Sequence, residues 1–416
     1  MSKIKIIGGN KLTGKVKISG AKNSAVALIP AAILCDEEVT IDNIPNISDI
    51  KAIEEILQFL NVTYSRTEES ITINSRTLIN KPIPTDIAQK IRASYYFMGA
   101  LLGRDKHISI SLPGGCQIGA RPINLHLLAF EKLGAKVINN HGTFDISASR
   151  ITGTDIYLEF ASVGATINIM LASVKAHGVT TIENAALEPE IVNVANFLNA
   201  MGAKIYGAGT GIIKITGVDY LKSCHHEVIP DRIEAGTYAI IASIMGENVV
   251  IENIIPNHLL SVITKLKETG AKIKIEQDSI IVSKADALKS ANIKTQVYPG
   301  FPTDLQQPMT ALLTQCDGMS IVEETIYENR FQNVEYLNKM GASIDIEGKI
   351  IRIHGKTSLQ GCDITSTDLR AGSCLIIAAL LASGETLIDH TEHVLRGYED
   401  IDVKLQQLGA KIEVYK

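Results

Sequence analysis

The chain has 416 residues, 45% apolar and 20% charged, with a formal net charge of −5. That length allows two or more domains, and the composition excludes a disordered or fibrous chain. The negative balance argues against nucleic-acid binding, which needs a dominant basic face, yet it permits a local basic pocket for a small anion. Cys35, Cys116, Cys224, Cys316, Cys362 and Cys374 lie far apart with no C-x-x-C pair. They read as reduced thiols rather than a disulfide framework or a zinc site.

In chain order, MSKIKIIGG reads as a strand without the apolar core of a signal peptide. Lys22 and Asn23, in GAKNS, open a helix continued by Ala25–Leu34. Free N–H groups and the helix dipole favour an anion there; the alternative is an exposed lysine with a capping Asn. FLNVTY follows, then KIRASYYF, which places Arg92 before the apolar stretch Ala93–Leu102. LPGGCQIGARP, Leu112 to Pro122, shows no helix or strand pattern and carries Cys116 five residues from Arg121. Further helices are expected at Ala165–Ala176, Ile191–Met201, Ala235–Met245, Leu259–Thr269, Thr310–Thr314 and Ala371–Ala382. The last is almost wholly apolar, as for a helix buried on all sides, but its apolar run is about half of a bilayer span. No membrane association is expected, and the protein reads as soluble and cytoplasmic. GAGTG at 207–211 imitates a phosphate loop, but strand residues follow it where a helix is required, so it reads as a hairpin turn.

One phrase recurs about every 70 residues: KLGAKV, AMGAKI, ETGAKI, KMGASI and QLGAKI, with Gly134, Gly202, Gly270, Gly341 and Gly409. Asn61 in FLNVTY fills the sixth place. Each marks a corner where an amphipathic helix ends at a left-handed cap and a β-branched strand begins. The period is too long for a solenoid. It predicts an α/β fold of six βαβαββ units, three per half, forming two pseudo-symmetric lobes with helices gathered inside each. The expected lobes are 22–229, carrying the Cys116 loop, and 1–21 plus 230–416, with a ligand cleft between them.

A few polar groups stand out of pattern. Arg92, Arg330, Arg370 and Arg396 lie near apolar helix starts or beside glycine at comparable places in the units. Such arginines suit a phosphate or carboxylate substrate, although singly each reads as a surface residue. Asp304, in PGFPTDLQQP, reads either as an N-cap or as a general base. For Asp368, in TDLRAG, a cap or an arginine-orienting role is favoured. The histidines show no ligand spacing, so no catalytic metal is expected.

Taken together, GAKNS, IRASYYFMG, PGGCQIGARPINLH, SVGAT, ENAALEPEIV, VIPDRIEAGT, FPTDLQ, ENRF, TDLRAG and RGYE resemble, end to end and in order, the UDP-N-acetylglucosamine 1-carboxyvinyltransferases. The resemblance implies the two-lobed inside-out α/β barrel of the EPSP synthase superfamily. It also implies enolpyruvyl transfer from phosphoenolpyruvate to UDP-N-acetylglucosamine without metal or organic cofactor, in peptidoglycan precursor synthesis, by a monomer. By motif, Lys22, Arg121 and Arg396 would hold phosphoenolpyruvate, and Arg330 and Arg370 would complete a cationic wall. Asn23 and Asp304 would contact the sugar, with Asp304 taking the hydroxyl proton. Arg92, Arg121, Pro122, Ile123, Asn124, Leu125, Ser162, Val163, Gly164 and Ile326 would line the sugar-nucleotide site, and Asp368 would support Arg370. Cys116 would protonate the methylene carbon of phosphoenolpyruvate. Two positions depart from the pattern: Phe160, where some members have lysine, and Asn124, where an aspartate is common. Both put particular nucleotide contacts in doubt.

The resemblance also disfavours the sister reaction on shikimate 3-phosphate, whose enzymes lack this cysteine loop. A thiol of ordinary pKa about 8.5 suits an acid while it stays protonated, whereas neighbouring arginines would favour thiolate. Both roles stay open. Gly114, Gly115 and Gly119 would let the loop close as a lid. Sugar-nucleotide binding then protects this loop from limited proteolysis, and equal cleavage with and without ligand counts against a lid.

Overall fold

The computed structural model describes residues 2–111, 114 and 123–415. The expectations placed on Cys116, Arg121, Pro122, Gly115 and Gly119 therefore fall outside the described residues. The chain divides into two compact units: residues 2–19 with 230–415, and the described part of 20–229. Each has its own hydrophobic core.

The recurring glycine corner has a definite geometry. Gly134, Gly202, Gly270, Gly341 and Gly409 all take φ between 95° and 104°, and Asn61 takes 58°. After the Asn124–Lys132 helix, Gly134 N–H donates to the Glu131 carbonyl and Ala135 N–H to that of Phe130, both at 2.9 Å. This is the paired Schellman pattern. The same two bonds recur after the helices Ser48–Phe59, Pro189–Ala200, Leu260–Glu268, Asn333–Lys339 and Ile401–Gln407. The alanine after the glycine is buried at Ala135, Ala203, Ala271 and Ala410 and partly buried at Ala342, the position at which this motif favours an apolar side chain. That explains why the phrase reads Gly-Ala rather than Gly alone.

Each corner leads into a strand of a small sheet. Among the described residues there are five four-stranded sheets and one three-stranded sheet. The 20–229 unit uses Cys224–Glu227 in parallel with Val39–Asp42, so its last strand pairs within its first sheet. In the other unit, Lys15–Lys17 runs parallel to Val249–Glu252. There, Lys3–Ile7 lies antiparallel between Glu385–Asp389 and Lys411–Tyr415. The three-stranded sheet departs from the regular repeat. Its missing neighbour is reduced to an isolated bridge between Ile83 and Ile110, because Pro82 and Pro84 flank Ile83 and supply no N–H to extend a ladder. GAGTG joins the antiparallel strands Lys204–Tyr206 and Ile212–Thr216 as a hairpin turn.

Inside each unit lie the nearly all-apolar helices. In the 20–229 unit these are Lys22–Ala32, Tyr96–Asp105 and Val163–Ser173; in the other they are Arg232–Met245, Gln306–Leu313 and Leu369–Leu381. From Leu369 to Leu380 every residue is buried. No helix among the described residues is long and apolar enough to cross a membrane. Close helix approach depends on small residues. A Cβ on Gly99 would stand 2.5 Å from the Asn168 carbonyl oxygen, and one on Gly103 would stand 2.4 Å from that of Leu171. Gly114 is likewise a matter of space, since its Cβ would meet the Gln89 carbonyl oxygen at 1.9 Å.

An exposed Gly→Ala change within a helix stabilises by up to about 1 kcal/mol. Gly99→Ala should reverse that sign, because overpacking against backbone costs about 1–3 kcal/mol. A lowered urea midpoint is expected, and a raised one overturns the close-packing argument.

Candidate active site

The 230–415 unit brings three of the singled-out residues together, two arginines around one carboxylate. Asp304 lies in the short 3₁₀ turn Thr303–Leu305. Its Oδ1 accepts from Arg330 Nη2 at 2.7 Å and its Oδ2 from Arg370 Nη2 at 2.8 Å. The N-cap reading of Asp304 is thereby corrected: Pro302 occupies the cap position, and both carboxylate oxygens are turned to guanidinium groups. Arg330 and Arg370 are 3% and 7% exposed at the side chain, and Asp304 is 26% exposed. Burial pushes the Asp304 carboxyl up, but the charges of Arg370 and Arg330 and their hydrogen bonds outweigh it and hold the group far below the usual carboxylate range. Asp304 thus sits between two buried cations, a pairing of the kind that can also attract an anionic ligand.

The remaining donors of the pair are also fixed. Arg330 Nη1 donates to Thr303 Oγ1 at 3.0 Å, and its guanidinium lies 5.0 Å from the Tyr327 ring centre. Its buried Nε has no hydrogen-bond partner among the described residues. Arg370 Nη1 donates to Tyr398 Oη at 3.1 Å, and that hydroxyl lies 2.9 Å from Thr237 Oγ1. Asp368 caps the Leu369–Leu381 helix by accepting from the backbone N–H groups of Arg370 and Ala371. Holding that first turn fixes where Arg370 departs from the backbone. Ile326 lies in the turn before Arg330, its N–H donating to Glu324 at 2.8 Å. Arg396 ends the short Glu392–Leu395 helix, two residues before Tyr398.

In the 20–229 unit, Lys22 begins the Lys22–Ala32 helix after Ala21, which provides no side-chain cap. Its Nζ lies 2.7 Å from Asp49 Oδ2, with side-chain exposures of 15% and 5%. The alternative of an exposed lysine with a capping Asn is therefore corrected, because Lys22 is paired and Asn23 lies inside the first turn rather than at the cap. A further group surrounds the start of the Val163–Ser173 helix. Ser162 caps that helix through Ala165 N–H. A Cβ on Gly164 would meet Tyr95 Oη at 2.9 Å and the His126 ring at 3.0 Å. The Arg92 guanidinium lies 5.9 Å from the Tyr95 ring centre, and Ile123 and Leu125 flank the exposed Asn124, which opens the next helix. His126 is buried and bonded through Nδ1 to Asn168 Nδ2 at 2.9 Å. Burial first, and then the charge of Arg92, lowers its pKa to about 3, so the ring is neutral at ordinary pH. Phe160 is half exposed.

The sequence reading missed Asp49, His126, Thr303, Glu324 and Tyr398. Two of these had a signal. Asp49 lies on the apolar face of its helix with Ile53 and Ile56, all buried. Glu324 continues the buried alternation of Ser320 and Val322.

The sequence model of the family described as EPSP synthase (3-phosphoshikimate 1-carboxyvinyltransferase) matches residues 6–405. A Listeria monocytogenes protein named UDP-N-acetylglucosamine 1-carboxyvinyltransferase 2 is 52% identical over 99% of this chain and 97% of its own. A Bacillus subtilis protein of the same name is 51% identical over 99% and 96%. The chain belongs to the UDP-N-acetylglucosamine 1-carboxyvinyltransferases of the EPSP synthase family. Among solved structures, the enolpyruvyl transferase NikO from Streptomyces tendae matches this family member with a TM-score of 0.90 and 25% identity, covering 100% and 99% of the two chains. EPSP synthase from Acinetobacter baumannii shares the fold at a TM-score of 0.78 and 20% identity over the whole of both chains. The α/β fold of repeated units, divided between two compact units, is thus shared with these enolpyruvyl transferases.

Asp304→Asn leaves two buried guanidinium groups facing a neutral amide. At neutral pH it should destabilise by about 3 kcal/mol, the lower end for a broken buried pair, because Asp304 is partly exposed. A depressed folded-state pKa gives stability that is complete above the unfolded value, about 3.9, and is lost as pH falls further. The gap between wild type and variant in urea midpoint should therefore hold from pH 7 to about 4 and narrow below. Equal midpoints at pH 7, or a gap that widens in acid, contradict the clamp.

Proposed function

We propose that this chain transfers the enolpyruvyl group of phosphoenolpyruvate to the 3′-hydroxyl of UDP-N-acetylglucosamine and releases phosphate. Full-length similarity to proteins named for that reaction supports the assignment. The structural observation that carries it is the Asp304 carboxylate clamped between two buried arginines. The clamp offers a hydroxyl an ionised acceptor inside a cationic environment suited to phosphoenolpyruvate.

The chemistry assigned to each group follows from these surroundings. Cys116 gives its proton to the methylene carbon of phosphoenolpyruvate, leaving positive character at the adjacent carbon. The sugar hydroxyl attacks that carbon and loses its proton in Asp304's direction, forming a tetrahedral ketal. Loss of a proton from the new methyl group and departure of phosphate then restore the carbon–carbon double bond in the product. A carboxylate held so far below its ordinary range is a weak base. Asp304 therefore serves mainly to align the hydroxyl, and proton loss comes late, after the electrophile has formed. Lys22, Arg121 and Arg396 are assigned to phosphoenolpyruvate. Arg330 and Arg370 hold Asp304 ionised and add positive potential. Asn23, Arg92, Pro122, Ile123, Asn124, Leu125, Ser162, Val163, Gly164 and Ile326 are assigned to the sugar nucleotide, with Gly164 kept small by Tyr95 and His126. Asp368 supports Arg370 through the helix start. The reaction would open peptidoglycan precursor synthesis in the cytoplasm, and with it cell-wall growth and division, carried out by a monomer.

Phosphate release with phosphoenolpyruvate and UDP-N-acetylglucosamine, but not with shikimate 3-phosphate as acceptor, is the expected result. Cys116→Ala should lower kcat by at least about 100-fold, the low end for losing a general acid, and abolish alkylation by fosfomycin. Cys116→Asp should retain turnover yet resist the epoxide. Normal turnover by Cys116→Ala removes the acid assignment; no release with either acceptor removes the enzymatic one.

A further inference from the structure

One buried carboxylate near the arginine pair has no part in the chemistry above. Glu324 is 1% exposed and follows the Met319–Glu323 strand. Its Oε1 accepts from the N–H groups of Ile326 at 2.8 Å and Tyr327 at 3.2 Å, and from Thr295 Oγ1 at 2.9 Å. Its Oε2 accepts from Thr303 Oγ1 at 2.8 Å. Thr303 Oγ1 in turn accepts from Arg330 Nη1 at 3.0 Å, while Nη2 of the same guanidinium reaches Asp304 at 2.7 Å. Arg330 thus straddles two consecutive residues of one 3₁₀ turn, holding a hydroxyl with one nitrogen and a carboxylate with the other.

The direction of this chain of bonds is forced. A hydroxyl has one proton and two lone pairs. Arg330 Nη1 can only donate to Thr303 Oγ1, so the hydroxyl keeps its proton for Glu324 Oε2 and leaves its lone pairs to Arg330. The same carboxylate also fixes the first peptides of the turn carrying Ile326. We infer that Glu324 is a positioning residue for the transfer, orienting Arg330 against Asp304 through Thr303 while fixing the Ile326–Tyr327 turn. The inference deepens the proposed function and rests on it for the substrate, but the hydrogen-bond relay itself stands on the distances alone.

Glu324→Gln keeps the shape. Its amide retains the three bonds to Oε1 only if its nitrogen faces Thr303, and it then donates where it formerly accepted. The Thr303 proton is displaced and must find another acceptor, so the hydroxyl that receives Arg330 is no longer fixed in direction. Thr303→Val breaks the same link from the other end with little change of volume. Each variant should lower kcat/KM for UDP-N-acetylglucosamine about tenfold, the lower bound for a hydrogen bond to a charged group. The double variant should lose no more than the worse single one, because both cut one relay. Thr303→Ser, which restores the hydroxyl, should recover most of the loss. Wild-type kcat/KM in Thr303→Val overturns the inference. So do equal losses in Val and Ser, or additive losses that track the urea midpoint as a purely structural role would. If Glu324→Gln fails to fold, the Val–Ser comparison decides alone. Amide hydrogen exchange over 324–331 gives a readout independent of turnover: it should speed up in Thr303→Val and not in Thr303→Ser, and no difference between them overturns the relay. A wild type without phosphate release would sink the proposed function and leave this exchange test standing.

Discussion

The sixfold architecture depends on a single local event, the left-handed closure of a helix at a glycine or, in one unit, at Asn61. With φ near 100° at glycine, two backbone bonds satisfy the last carbonyls, and the next residue folds back on the helix. A strand follows each of these corners, so the same helix-to-strand turn recurs in every unit. Without that corner the outer helix would carry unsatisfied carbonyls into a segment that must become strand. The inner helices add a second constraint. They are nearly all apolar, so they are stable only when surrounded, and Gly99 and Gly103 set how closely two of them approach.

This scaffold makes a costly arrangement of charge tolerable. Two guanidinium groups with side-chain exposures of 3% and 7% would each be strongly unfavourable alone. Asp304 neutralises part of the charge, and Tyr398, Thr303 and the ring of Tyr327 take up other donors or faces. The cap at Asp368 secures the helix start from which Arg370 extends. Preorganisation here comes from rigid elements: a 3₁₀ turn, a capped helix and a strand end.

The corners were legible in the sequence because a positive φ demands glycine or asparagine, leaving a mark at every repeat. The inner helices were legible as apolar runs, though their first turns were not. Lys22, Arg232 and Leu369 begin helices whose apolar stretches start later. The bare strand Ile83 was not legible as a defect, although its flanking prolines explain it. Among site residues, Asp304, Arg330 and Arg370 were picked out singly, but their union was invisible. It depends on contacts between residues 26 and 66 apart in sequence, with no period to announce them. Glu324 and Asp49 were hidden differently, as carboxylates on core-facing positions where an apolar residue is the ordinary expectation.

The place of the strand Lys3–Ile7 has a consequence for how the chain reaches its native state. It lies between Glu385–Asp389 and Lys411–Tyr415, strands that are made only after the whole of the 20–229 unit. The 20–229 unit is inserted whole between the two parts of its companion and closes its first sheet with its own last strand. It can complete itself during synthesis. Its companion must hold Lys3–Ile7 unpaired until Glu385–Asp389 and Lys411–Tyr415 have been made, so its central pairing closes a loop of very long range.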